Sequence, residues 1–296
     1  MTGFFRGTAT AMITPFTEDG VNFDAFGRMI DFQIENGTDA LVILGTTGEP
    51  STMTEKERED VMAFSAERIA GRAVLIFGSG SNNTAQAVAA SRKAVKMGAD
   101  GLLCVTPYYN KCTQNGLYEY YRAIADAVPV PVICYNVPPR TGVNILPATM
   151  ERIASIPNIA GIKEACGNME QICETARRIR GRCDLYSGDD NLNLPILAIG
   201  AAGLISVASN LVPRETKMLY TFMKNGDLKS ANEIQDRMLP LIDQLYTEVN
   251  PIPAKEAAEL IGLSGGIPRP PLTRLEPQHR ETLIAALKTF GLKVNA

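Results

Sequence analysis

Lys163 closes an otherwise apolar run, Ile159-Ala160-Gly161-Ile162-Lys163-Glu164-Ala165, that reads as a buried strand. An ammonium in such a place is costly unless its pKa falls. A lowered pKa supplies neutral amine, the form that attacks carbonyls. The run therefore points to Schiff-base chemistry, and the competing reading is a lysine paired with a carboxylate at a strand end. Alternation along a strand puts 159, 161 and 163 on one face. Gly161 beneath Lys163 then leaves room for an inward side chain.

Other polar residues follow apolar runs in the same manner. Tyr135 and Asn136 end a neighbouring run at the same height as Lys163. A phenol beside an amine can carry protons during carbinolamine formation and collapse; equally, it can be a core tyrosine with a satisfied hydroxyl. Gly45-Thr46-Thr47-Gly48-Glu49 offers two hydroxyls between glycines, for a close approach to a ligand or for ordinary turn chemistry. Arg140 lies in the loop Val137-Pro138-Pro139-Arg140-Thr141-Gly142, where a guanidinium can grip a carboxylate bidentately or make a surface ion pair. Thr106-Pro107-Tyr108-Tyr109-Asn110, Ser187-Gly188-Asp189-Asp190 and Ser206-Val207-Ala208-Ser209-Asn210 complete a hydroxyl-rich set. Asp189, Asp190 and Asn191 suit a metal or a helix cap, and capping is the favoured reading. The last two loops carry no glycine-rich phosphate cradle, so a phosphorylated substrate is not inferred.

The elements that must position these residues recur as short β-rich runs near 8–13, 40–44, 74–78, 101–106, 132–136, 159–164, 184–187 and 203–207. Helical stretches lie between them. Thr54-Glu55-Lys56-Glu57 is a capping box, and Asn83-Thr84 starts an Ala-rich helix running to Met97 and ended by Gly98. Gly37, Gly71 and Gly98 each fall between a helix and the next strand. Alternation of this kind predicts a (β/α)8 barrel, whose active site lies at the C-terminal ends of the strands. An open doubly wound sheet is the alternative, but no GxGxxG follows the first strand. Beyond Pro213 the pattern is helical: Leu219–Lys224, Ala231–Tyr246, Pro253–Ile261 and Glu281–Phe290. Residues 265–271 form an extended Gly/Pro connection. The expected organisation is a catalytic barrel over 1–225 and a C-terminal helical region over 226–296.

Composition narrows the function classes. With 29 basic and 32 acidic residues the net charge is −3, and no basic stripe suits nucleic acid. No apolar run approaches the ~20 residues that span a bilayer. Met1 to Gly7 lacks the apolar core of a signal peptide, so a cytoplasmic location is expected. The six cysteines show no CxxC spacing and His279 is the sole histidine, which argues against a zinc site. Cys104 and Cys134 sit in apolar runs and read as reduced core thiols.

Taken in order, these segments, together with Asn250-Pro251-Ile252-Pro253, resemble the dihydrodipicolinate synthases, within the pyruvate-dependent class I aldolases that include N-acetylneuraminate lyase. The resemblance covers essentially the whole chain. It implies that Lys163 forms a Schiff base with pyruvate and that Tyr135 is the general acid/base. Thr47 would link Tyr135 to Tyr109, with Tyr109 reaching across a tight dimer interface into a partner's site. Thr46 and Thr47 would hold the pyruvate carboxylate near backbone at Gly188 and Ile205. Arg140 would bind the carboxylate of L-aspartate 4-semialdehyde. The resemblance implies a homo-oligomer, at least a dimer and in this family a dimer of dimers, with no cofactor. An aldolase acting on a sialic or 2-keto-3-deoxy sugar acid is the alternative; the Pro-Arg-Thr-Gly loop favours the synthase.

Many relatives bind L-lysine as an inhibitor at the tight-dimer interface. The positions here would be Ser51, Glu55, Arg58, Asn82, Gln86 and Tyr108. Gln86 lacks the negative charge that would pair a ligand ammonium, so weak or absent lysine inhibition is expected. Cys166 stands where a Thr is common, and is expected to be tolerated as a near-isostere.

Overall fold

A computed structural model describes residues 4–295; Met1, Thr2 and Gly3 of the N-terminal segment lie outside them. Parallel strands β1 Gly7–Ala11, β2 Ala40–Ile43, β3 Val74–Gly78, β4 Gly101–Val105, β5 Val132–Asn136, β6 Ile159–Glu164, β7 Asp184–Ser187 and β8 Gly203–Ser206 form one sheet. It closes because β1 pairs with both β2 and β8. Closure rules out the open doubly wound alternative. Helices α1 Phe23–Glu35, α2 Glu55–Ile69, α3 Thr84–Lys96, α4 Gln114–Ala125, α5 Pro147–Ile153, α6 Met169–Ile179, α7 Asn193–Ala198 and α8 Pro213–Lys224 each follow a strand. Three more, α9 Leu228–Leu245, α10 Ile252–Leu260 and α11 Pro277–Phe290, end the chain.

Local signals explain most boundaries. Thr54 and Glu57 make both halves of the capping box at the start of α2, and the Asn83 side chain caps α3. Strand β2 stops one residue earlier than expected because Leu44 takes a left-handed conformation, φ 58°. Helices α8 and α11 start earlier than the apolar pattern alone suggests, at Pro213 and Pro277. Proline in the first turn forfeits no helical hydrogen bond and presets φ.

Two apolar layers hold the structure. Inside the barrel, Ala9, Ala11, Ala40, Val42, Ile76, Leu103, Ile133, Tyr135, Tyr186 and Ile205 pack together. Phe5 plugs its N-terminal end, stacked on Tyr186 at 4.5 Å between ring centres. The outward faces of the strands pack on the helices in a second, larger cluster. That cluster also contains Ile234, Met238, Leu241 and Ile242 of α9, Ala254, Ala257 and Ala258 of α10, and Leu283 and Leu287 of α11. The last three helices thus rest on the barrel's own outer layer; at the C-terminal rim Lys255 of α10 reaches the loop after β2, and Asn250, just before α10, reaches the loops after β2 and β5.

Candidate active site

Strand register places Lys163 between Tyr135 on β5 and Tyr186 on β7. All three side chains are buried, Lys163 to 4% exposure. The Lys163 Nζ lies 4.4 Å from the centre of the Tyr135 ring. Burial pulls the Lys163 pKa down from 10.5 to about 8; Asp190 pulls it up, and the Arg140 charge lowers it. The inward orientation expected from strand parity is present, but Gly161 is not what makes room for it. A Cβ at Gly161 would meet the Tyr186 ring at 2.8 Å and the Asp184 carbonyl at 2.6 Å, so its space belongs to β7. Room for the lysine comes from Gly188, where a Cβ would stand 2.6 Å from Lys163 Cε.

Burial raises the Tyr135 phenol to about 12, while Arg140 and a hydrogen bond with Thr46 lower it. The phenol is therefore a proton donor at neutral pH. Thr46 is the threonine whose hydroxyl lies near enough to lower the Tyr135 pKa. Thr46 and Thr47 are consecutive in one turn of 3-10 helix, Thr46–Gly48, so their side chains point different ways. Thr47 Oγ1 accepts instead from Asn250 Nδ2 at 3.0 Å. Tyr109 is 89% exposed and projects from the barrel, on a left-handed backbone with φ 72°. Arg140, in the single helical turn Pro138–Thr141, donates from Nη2 to the Asn250 carbonyl at 2.9 Å. Ile205 is fully buried in the interior cluster.

Asp189 caps a turn, accepting from Asn191 N at 3.1 Å. Asp190 accepts from Val207 N and Ala208 N, both at 2.9 Å, and so ties β7 to the end of β8. Among the described residues no group of three or more His, Cys, Asp or Glu side chains gathers as a metal site. Cys166 keeps its Sγ 3.8 Å from the Asn168 carbonyl, and burial is the main reason its thiol is pushed up to about 12.

The six positions singled out for lysine binding fall into two groups. Arg58 donates to the Pro50 carbonyl beside Ser51 and lies near enough to Glu55 to lower its pKa, though Lys93 dominates that shift. On the next loops, Asn110 Nδ2 donates to the Asn82 carbonyl, and Ser81 Oγ donates to Gln86 Oε1 at 3.3 Å. Tyr108 is 39% exposed.

Several residues of the rim escaped sequence reasoning. Glu164, on the outer face, is fully buried and accepts from Asn136 Nδ2 and Cys166 N; burial raises it to about 7. Its carboxylate beside an already singled-out lysine was the available signal. Glu49 and Lys255 form a buried ion pair at 2.7 Å. Nothing in the sequence links two charges so far apart. Tyr246, at the end of α9, has a hydroxyl pushed well above 10 chiefly by burial, with Asp190, Asp189 and Tyr135 adding to it. The residue as a whole is 41% exposed.

This geometry is that of a known family of proteins. The model of the dihydrodipicolinate synthetase family matches residues 4–290. The 4-hydroxy-tetrahydrodipicolinate synthase of Caldicellulosiruptor bescii is 49% identical over 291 residues, covering 98% of each chain. Among solved structures, dihydrodipicolinate synthase from Aquifex aeolicus superposes with a TM-score of 0.96 at 43% identity, covering 99% of this chain and 100% of that one. The enzyme from Cyanidioschyzon merolae, solved with lysine bound, gives a TM-score of 0.95 at 38% identity, over 98% of this chain and 100% of that one.

Proposed function

The chain belongs to the dihydrodipicolinate synthetase family, and from that premise we propose that it condenses pyruvate with L-aspartate 4-semialdehyde to 4-hydroxy-tetrahydrodipicolinate, in lysine and diaminopimelate biosynthesis. The observation that carries the chemistry is Lys163, buried against the Tyr135 ring with its pKa brought down to about 8. Neutral Lys163 attacks the pyruvate ketone, and loss of water leaves an iminium. The iminium acidifies the adjacent methyl group, which gives up a proton to form an enamine. The enamine carbon attacks the semialdehyde carbonyl. The semialdehyde's amine then adds to the imine carbon and expels Lys163, closing the ring and freeing the lysine.

The chain's own groups divide the work. Tyr135, protonated at neutral pH, gives a proton to the departing hydroxyl and recovers one later. Thr46 is near enough to it to lower its pKa. Thr47 holds the pyruvate carboxylate, and Arg140 meets the carboxylate of the second substrate. Gly188 leaves Lys163 the space to reach across the barrel. Proximity and preorganised donors supply most of the rate enhancement.

The reading extends to a homo-oligomer, at least a dimer, in which Tyr109 serves a partner's site. Its support is an exposed phenol held on a left-handed backbone, a conformation that costs energy for a non-glycine residue. A cytoplasmic location fits the reaction; among the described residues no helix is long and apolar enough to cross a membrane. The deciding experiment is turnover of pyruvate with L-aspartate 4-semialdehyde, coupled to an NADPH-dependent reductase. Turnover should vanish in Lys163→Ala, and borohydride should trap pyruvate on the wild type alone. A folded wild type that neither turns over nor traps pyruvate would refute the proposal.

A further inference from the structure

Asn250 stands outside the barrel, in the segment between α9 and α10, yet it touches two of the donors just assigned to substrates. Its side chain is buried, 7% exposed. Nδ2 donates to Thr47 Oγ1 at 3.0 Å, and its main-chain carbonyl accepts from Arg140 Nη2 at 2.9 Å. The side-chain Oδ1 has no partner. This orientation leaves an acceptor unsatisfied, whereas the flipped amide would leave buried N–H groups unsatisfied, and orphaned acceptors are the commoner of the two.

We propose that Asn250 is a positioning residue that sets the direction of the Thr47 hydroxyl, so that Thr47 donates to the pyruvate carboxylate. A hydroxyl has one proton and two lone pairs. With Asn250 donating into one lone pair, the Thr47 proton is left to point elsewhere, toward an anion in the site. An acceptor at 250 would draw that proton away and present the carboxylate with lone pairs. The same residue's carbonyl fixes Arg140, so one residue orients the donors for both substrate carboxylates.

The two elements involved are pinned to each other independently. Glu49, two residues after Thr47 on a left-handed backbone with φ 55°, accepts from Lys255 Nζ at 2.7 Å and from Arg269 N at 3.0 Å. Lys255 is five residues beyond Asn250 and also donates to the Ile267 carbonyl at 3.1 Å. The Thr46–Thr47 turn and the start of α10 are therefore tied to each other through Glu49 and Lys255.

The inference rests on Thr47 holding the pyruvate carboxylate, and the test separates the two. Steady-state constants for each substrate are measured in Asn250→Ala, Asn250→Asp, Thr47→Val and the Asn250→Ala/Thr47→Val pair. Asn250→Ala should raise the pyruvate KM about tenfold, the range of one lost hydrogen bond to a charged group. It should leave the semialdehyde KM near wild type, because the carbonyl that holds Arg140 remains. Asn250→Asp, the same size, should be worse than alanine at neutral pH and should recover as pH falls and the carboxyl gains a proton to donate. In the Thr47→Val background, Asn250→Ala should change the pyruvate KM less than twofold. A purely structural asparagine would lower kcat and raise both KM values together, with no pH signature in the aspartate variant, and that pattern would overturn the proposal. Thr47→Val raising the pyruvate KM while Asn250→Ala does not would overturn it and leave the Thr47 assignment intact. An unchanged pyruvate KM in Thr47→Val would overturn both.

Discussion

Replacing Lys163 by methionine should abolish turnover and make the protein more stable. Methionine keeps the length of the side chain and removes its charge. The folded protein holds Lys163 at about 8 against 10.5 in the free side chain, and at 1.36 kcal/mol per unit this gap corresponds to roughly 3 kcal/mol. The sign follows from which state prefers the proton. Well above pH 10.5 the amine is neutral whether the chain is folded or not, and no charge penalty attends burying it. As pH falls toward 8 the unfolded chain takes up the proton more readily than the folded one, so stability declines. Below about 8 both states are charged and the folded state bears the full penalty. Lys163→Met should therefore gain up to about 3 kcal/mol at pH 7, near 6 °C in Tm at about 2 °C per kcal/mol for a chain of this size. The gain should shrink to below about 0.5 kcal/mol by pH 10.5. Thermal unfolding of wild type and variant across pH 6 to 10.5 measures it. The catalytic side of the same quantity is that, at pH 7.5, about a quarter of Lys163 is neutral instead of ~0.1%, so the rate of pyruvate imine formation should climb through pH 8. A variant no more stable than wild type at pH 7, a gain that does not vary with pH, or an imine rate that keeps rising toward pH 10.5 would each refute the reasoning.

Further outcomes follow from the same geometry. Gly188→Ala should displace Lys163, since the added Cβ would stand 2.6 Å from its Cε; kcat and borohydride trapping should fall at least ~10-fold with the fold retained, and wild-type trapping would contradict the assignment. Lys255→Met leaves Glu49 buried without its ammonium and should cost about 3–5 kcal/mol in denaturant unfolding; adding Glu49→Gln should restore at least half of the loss. Arg140→Ala should raise the semialdehyde KM by about 10-fold or more while pyruvate trapping stays at the wild-type level. L-Lysine titrated to physiological concentrations should inhibit weakly or not at all, because Gln86 offers a neutral amide where an ammonium needs a carboxylate; strong inhibition would show that another group pairs it.

The barrel was legible because each of its signals is local. Alternating apolar runs, a capping box at Thr54 and Glu57, and glycines between helices and strands state their element within a few residues. Lys163 was legible for the same reason: one charge at the end of an apolar strand stands out wherever the strand is buried. Its height beside Tyr135 followed from consecutive parallel strands and holds in the register. Where the Thr46 and Thr47 side chains point was not legible, since neighbouring residues of one type differ only in where a tight turn aims them.

The amino-acid sequence by itself determined the fold class and the order of the strands through periodicity, and it singled out Lys163 through a single misplaced charge. The tertiary structure alone decided who touches whom across long separations. It gave Gly188 rather than Gly161 the task of making room for Lys163, brought Thr46 near enough to Tyr135 to lower its pKa, and brought Asn250 to Thr47 and Arg140. It also paired Lys255 with Glu49. Such contacts carry no periodic signature, because they arise only when closure of the barrel and docking of α10 onto its rim bring distant segments of chain together.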